Sequence, residues 1–371
     1  METKLASGRI RRFLHERTQQ AALLGVILIV SILVQLRTGG SFLTASNLNE
    51  MMREASMLII VSVGMMIVIV GGGIDLSVGS VMGLSGMIAA LTLRANPQMP
   101  VIAVFLVAMG VGLICGVITG FVVAELRIFP LIGTLGTCDI LRGVIYWFSN
   151  GEWVGQSDMT PGFLSIATDK LLGINCMVWF AAGAVIFGTI LMGHTRLGRH
   201  IYAVGNSEHC AKISGINTVK VKWISYIFSG VLAGLAGVLW VCKYANAQGT
   251  TATGYELNVI ASVVLGGVSI KGGAGTIFGV VLGSRLFGIL NNILPLIQVS
   301  SFWQRAIRGA VILLAVIPGW LLEKGFQNHL LEGNAAFFTP YGALTAWAAL
   351  PAMGILTALG LFYFLFRSPA L

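Results

Sequence analysis

Charge is what this 371-residue sequence has least of: only 10% of its residues are Asp, Glu, Lys or Arg, against roughly 25% in soluble domains. With 56% hydrophobic residues, that shortage excludes an ordinary water-soluble protein, whose surface must be polar. A phosphate cradle is missing too. No Gly-Lys dipeptide occurs, which excludes a P-loop of the GxxxxGK[ST] kind in this chain. The five histidines, His15, His194, His200, His209 and His329, all fall in predicted cytoplasmic segments and form no cluster with acids, so no metal site or intramembrane catalytic constellation is expected. The five cysteines, Cys115, Cys138, Cys176, Cys210 and Cys242, have neither metal nor redox spacing.

Apolar length is what the sequence has most of. Its runs of about 16 to 23 residues match the roughly 20 needed to cross the hydrocarbon core as a helix. Hydropathy places spans at 21–36, 55–71, 78–93, 100–122, 128–148, 172–192, 222–242, 256–269, 276–296 and 301–318, with one more at 341–366. The run at 256–269 is too short to cross comfortably and reads as a re-entrant or broken helix. Forty-eight glycines suit helices that associate in lipid by close backbone packing. Gly79 and Gly83, Gly116 and Gly120, Gly230 and Gly234, and Gly279 and Gly283 are each four apart on one helix face, and packing is their expected role.

The net charge of +9 does not imply nucleic acid, because the basic residues sit beside apolar runs without interleaved aromatics. Lys4, Arg9, Arg11, Arg12 and Arg17 precede the first span, no convincing cleavage site follows it, and a retained first helix with a cytoplasmic N-terminus is expected. Alternating from there puts about 13 Lys and Arg inside and about 6 outside, as the positive-inside rule requires. The segment 149–171 is then external and 194–222 cytoplasmic.

Two interruptions carry polar residues. The run Gly71-Gly72-Gly73-Ile74-Asp75-Leu76-Ser77 splits one long apolar stretch, since glycine unwinds a helix and an Asp or Ser oxygen can cap the next one. Gly72, Gly73, Asp75 and Ser77 are therefore candidates for a helix break or a gate. The stretch 203–217 is helix-like, bounded by glycines and too polar to span, so it is expected to lie on the cytoplasmic surface.

Charges inside spans are costly, at least roughly 2.5 to 3.5 kcal/mol at mid-membrane by insertion scales. Asp139 and Arg142, three apart on one helix face, are expected to form a structural ion pair. Arg305 and Arg308 share the same spacing near an external end and could snorkel to the interface. Arg285 has no partner in its own helix and becomes a candidate solute-path residue, alongside Asn291, Asn292 and Trp303, which could hydrogen-bond or stack on a hydroxylated solute.

Residues 72–81 (GGIDLSVGSV), 134–143 (TLGTCDILRG), 152–163 (EWVGQSDMTPGF), 196–216 (RLGRHIYAVGNSEHCAKISGI) and 300–316 (SSFWQRAIRGAVILLAV) resemble the ribose/xylose-type permeases of binding-protein-dependent ABC importers, part of the branched-chain amino acid/monosaccharide permease superfamily. The similarity runs from about residue 45 to 318. It implies an all-α polytopic transmembrane bundle with about 10 core helices plus an extra C-terminal helix, in a bacterial inner membrane. It also implies a cytoplasmic ABC ATPase subunit that holds ATP and Mg, a periplasmic solute-binding protein, and a second permease copy or sister permease; this chain itself would be neither an enzyme nor a cofactor carrier. The ATPase-coupling loop would be Gly205, Asn206, Glu208, Ala211, Gly215 and Ile216. The expected layout is a basic N-terminus at 1–20, a permease domain at 21–318 with a coupling loop at 194–221, a linker at 319–340 and an accessory helix at 341–366. Cys210 stands where the family usually has alanine, and Asp139 and Arg285 put charge where it usually has small or apolar residues.

The function expected is passage of a monosaccharide or similar polar solute into the cytoplasm, driven by ATP hydrolysis on other subunits. An ion-coupled secondary transporter is the alternative, and only Asp139 offers the mid-membrane acid it needs.

Overall fold

The computed structural model of the chain describes residues 20 to 310, apart from 22, 301, 302, 305 and 308. The N-terminus at 1–19, Arg305, Arg308, most of the tenth span, the 319–340 linker and the 341–366 helix lie outside the described residues. Seven described helices are long and apolar enough to cross a membrane: α2 Ala45–Val70, α3 Val78–Ala95, α4 Val101–Gly120, α5 Pro130–Ser149, α7 Cys176–His194, α10 Thr218–Tyr244 and α12 Ile277–Leu296. A π turn at Phe121–Glu125 extends α4. Shorter apolar helices, α1 Leu23–Arg37 and α11 Tyr255–Leu265, complete nine positions that correspond one to one with the first nine predicted spans.

Differences lie at the ends, and polar groups cause them. Thr44 caps α2 by accepting the Asn47 N–H at 3.4 Å, so the helix starts ten residues ahead of its apolar run and carries Glu50, Arg53 and Glu54 as well. At 26 residues it is about 39 Å long, more than the roughly 30 Å core. By contrast α7 starts late. Residues 172–175 belong to a small antiparallel hairpin, β1 Lys170–Leu171 with β2 Ile174–Asn175, and Asn175 then caps the helix through the Met177 N–H at 2.9 Å. Ahead of the hairpin, the segment 149–171 also holds the short α6 Pro161–Leu164 between two 3-10 turns.

The centre of the bundle is α2, which is buried along nearly its whole apolar stretch, with α10 beside it. Close backbone contact joins α10 to α4, because Gly230 and Gly234 face Gly112 and Gly116 with no space for a Cβ on either side. Gly279 and Gly283 of α12 meet Gly266 and the Ser262 carbonyl of α11 in the same way. Such contacts give dispersion and hydrogen-bond packing where lipid removes the hydrophobic driving force. On the outside, α4 presents Ile102, Leu106, Leu113, Ile114 and Ile118, and α7 presents Ile186, Phe187 and Ile190, faces suited to acyl chains.

The broken eighth span is visible. Only 11 residues of it are helical, about 16 Å, and the chain between α10 and α11 returns through turns at Ala245, Ala252 and Gly254, all at positive φ.

Candidate functional site

Between α2 and α3 the chain unwinds at Gly71 and turns at Gly72, whose φ of +84° suits glycine. Asp75 then points inward and is only 2% exposed. Its Oδ1 accepts the Ser77 N–H at 3.0 Å and the Ser77 hydroxyl at 2.6 Å, while Oδ2 accepts the Ser229 hydroxyl of α10 at 2.9 Å. Thus Asp75 organises the start of α3, but Ser77 does not cap it with its side chain, because that hydroxyl is committed to Asp75. The Leu76 N–H donates to Thr134 of α5 at 3.1 Å, and the Tyr226 hydroxyl of α10 reaches the Ile74 carbonyl at 3.4 Å. Every one of these partners is neutral, and together they tie the break to α5 and α10.

The polar stretch between α7 and α10 is two helices rather than one. Thr195 caps α8 Arg196–Asn206 through the Gly198 N–H at 3.0 Å. Ser207 caps α9 Glu208–Ile213 through Cys210 at 3.3 Å, and Asn217 caps α10 through Lys220 at 2.9 Å. Three successive side-chain caps satisfy the orphan N–H groups at each start, so the segment is a rigid jointed element. Lys222 donates to Glu208 at 2.6 Å, and that hydrogen bond holds the Glu208 carboxyl below the usual carboxylate range.

Burial sorts the residues of this segment. Ile201, Val204 and Ala211 face inward, Ala211 at 4% exposure, whereas His209, Cys210, Lys212 and Ile213 face out. Ile213, an apolar side chain 75% exposed on a polar helix, was not singled out from the sequence. Periodicity could have found it, since it lies two residues past buried Ala211.

The two interruptions meet a third loop. Gly205 has no room for a Cβ against the Val70 carbonyl and the Gly273 backbone. The Gly273 N–H donates to the Val70 carbonyl at 2.9 Å, closing the end of α2. Gly272 packs on both Gly72 and Gly205, and the Tyr202 hydroxyl donates to the Gly275 carbonyl at 2.8 Å. Gly72, Gly205 and Asn206 are thus brought together, and the glycines of the α11–α12 loop join them.

The other expected residues are dispersed. Asn292 exchanges side-chain hydrogen bonds with Asn47 at 2.9 and 3.1 Å, which ties α12 to α2. The Asn291 side-chain Oδ1 is buried with no hydrogen bond among the described residues. Arg285 is half-buried in α12, and Trp303 is 58% exposed. The Asp139–Arg142 pair is a correction. No such ion pair is present among the described residues; Arg142 instead donates to the Gly249 and Thr251 carbonyls at 3.1 and 2.6 Å, and Asp139 is exposed. Backbone carbonyls of the chain between α10 and α11 hold the guanidinium, a partner 107 residues away that no local spacing reveals. A second ionic group, Lys243 with Glu50 and Glu54, links α10 to α2 and also went unforeseen, because α2 was expected to start beyond both acids.

The profile of the family described as branched-chain amino acid transport system / permease component matches residues 47–316. The ribose import permease protein RbsC of Escherichia coli K12 is 40% identical over 324 residues, covering 85% of this chain and 98% of the relative. The galactose/methyl galactoside import permease protein MglC of Salmonella typhimurium LT2 is 33% identical over 309 residues, 78% of this chain and 91% of that one. The autoinducer 2 import system permease protein LsrC of Salmonella typhi is 28% identical over 338 residues, 91% and 96%. No solved structure matches.

Proposed function

This chain belongs to the permease component family of branched-chain amino acid transport systems, and on that premise we propose that it is the membrane subunit of an ATP-driven importer for a monosaccharide. The observation that carries the reading is the capped two-helix element on the cytoplasmic side, seated through Gly205 on the end of α2 and the break before α3. A rigid part that touches both an exposed docking face and a helix break is what a force from another subunit requires. His209, Cys210, Lys212 and Ile213 form the face for the ATPase, and Glu208 and Ala211 hold the helix that presents it. ATP and Mg belong to that partner, and a periplasmic binding protein and a second permease subunit complete the assembly. The N-terminus is cytoplasmic in this reading and the membrane is the bacterial inner membrane.

The identities to ribose and galactose import permeases favour a sugar as the solute. Asn291 and Arg285 of α12 are candidate contacts in its path, and Trp303 a candidate stacking platform. Gly72, Gly73, Asp75 and Ser77 form the joint through which the coupling element acts on α3.

Gentle purification of the tagged chain from its membrane tests the assignment. A stoichiometric P-loop ATPase in the eluate, with vanadate-sensitive ribose or galactose uptake, is the expected result. Recovery without an ATPase, and uptake that survives vanadate but collapses with the ion gradient, would favour a secondary transporter instead.

A further inference from the structure

We infer that the outward face of α5 together with the re-entrant chain 246–254 is the solute-contacting wall of the passage, with Asp139 at its centre. Gly136, Asp139, Gly143 and Tyr146 are all exposed and recur at helical spacing, so they form one stripe. Ile140 and Trp147 flank it. Beside the stripe the re-entrant chain exposes Gln248, Thr250 and Thr253. Arg142 joins the two by donating from α5 to the Gly249 and Thr251 carbonyls.

Depth makes this face informative. Asp139 lies nine residues after the start of α5 and ten before its end, about 14 Å from each, near the middle of a roughly 30 Å core. The re-entrant chain agrees, because Gly254 is separated by the 11 residues of α11 from the loop that docks on α8. An exposed carboxylate at that depth, with the Thr250 and Thr253 hydroxyls on the chain that Arg142 binds, cannot face acyl chains at low cost; such groups face water or protein. The outward face of α4, apolar along its length, shows what this protein presents to lipid.

Two further groups lie just behind the wall. The Glu256 Oε2 and Asn246 Oδ1 atoms are buried and accept no hydrogen bond among the described residues, and Glu256 packs against Gly79, where a Cβ would overlap it. An unused carboxylate acceptor in the first turn of a half-helix suits a site that exchanges hydrogen bonds with a passing ligand. The chemistry present, a carboxylate and amide beside threonine hydroxyls and an exposed tyrosine, fits a neutral polyhydroxylated solute, whose hydroxyls donate to Asp139 and whose ring face lies on Tyr146. This rests on the importer reading for its solute, and a second permease subunit supplies the opposite wall.

The test uses the full chain in membranes with its partner subunits. Asp139→Cys and Thr250→Cys are compared with Ile114→Cys and Ile190→Cys, on α4 and α7. Modification by a charged, membrane-impermeant methanethiosulfonate is read site by site by mass spectrometry, which separates the new thiols from the native ones. A thiol must ionise in water to react, so positions 139 and 250 should react at least about tenfold faster than 114 and 190. Equal rates at all four would overturn the assignment. Asp139→Asn should raise KM for uptake of ribose, or of galactose if ribose is not accumulated, by roughly tenfold, the loss of a charge-assisted hydrogen bond. An unchanged KM would remove Asp139 from the wall. Failure of the wild type to accumulate sugar with ATP would count against the importer reading alone, since the labelling pattern does not depend on it.

Discussion

Gly205 of α8 lies against the carbonyl oxygen of Val70, the last residue of α2, in a space that one methyl group would overfill. The same oxygen accepts the Gly273 N–H, so α8, the end of α2 and the α11–α12 loop share a single contact.

Gly205→Ala should loosen that contact. The added Cβ overlaps backbone, which cannot swing away as a side chain could, and overpacking of this kind costs about 1 to 3 kcal/mol. ATP-dependent uptake in reconstituted vesicles should fall at least about tenfold, while ATPase copurification is retained because the docking face on α9 is untouched. Equal uptake by the variant and the wild type would show that the junction transmits nothing.

Asp75 separates two roles by substitution. Asp75→Asn can still accept the Ser77 N–H and hydroxyl through its amide oxygen but leaves the Ser229 hydroxyl facing an amide donor, a loss of about 1 kcal/mol. Asp75→Ala strands the Ser77 and Ser229 groups in a buried site, at about 1 to 3 kcal/mol for each unsatisfied group. Thermal unfolding in detergent should therefore rank wild type above Asn and Asn well above Ala. If Asn transports like the wild type, the negative charge has no part in gating.

Much of this architecture was legible in the residues, and the reasons are specific. Nine spans followed from hydropathy because each apolar run is bounded by polar or glycine-rich sequence, and α11 announced its shortness by its length alone. Lateral partners were not legible. Arg142 and Asp139 share a helix face, but a guanidinium that reaches two carbonyls of the re-entrant chain gains more than one beside an exposed carboxylate. Ser207 divides the cytoplasmic stretch into α8 and α9 because a serine there caps rather than propagates, a choice that propensity alone leaves open. Ala211 matches the resembled motif by position, yet its burial places it under the helix, and the outward face passes to its neighbours.

That division of α9 predicts opposite outcomes for adjacent positions. Ile213→Asp removes an exposed apolar anchor, and truncating such an anchor typically costs about 2 kcal/mol or more of binding. Affinity for the ATPase should drop roughly thirtyfold with no change in the unfolding temperature of the permease. Ala211→Leu should do the reverse, lowering thermal stability because the buried site at 4% exposure has no room for the extra atoms. Measured by copurification and by scanning fluorimetry, a loss of docking from both or neither would refute the assigned face.

The hydrogen bond from Lys222 to Glu208 should make the seating of α9 on α10 depend on pH. Glu208 has its carboxyl lowered from the ordinary value of 4.5 by that bond, so the contribution is fully present above pH 4.5 and is lost as pH falls through the lower value of the folded state. The pair is partly exposed, with 26% and 52% of the two side chains accessible, and solvent screening keeps its worth below about 1 kcal/mol. Glu208→Gln should therefore increase hydrogen exchange in α9 modestly at pH 7, and the difference from wild type should shrink progressively once the pH drops below 4.5. High salt at pH 7 should shrink it as well. A difference that persists unchanged at acid pH would mean that Glu208 holds α9 by a contact other than the Lys222 ammonium.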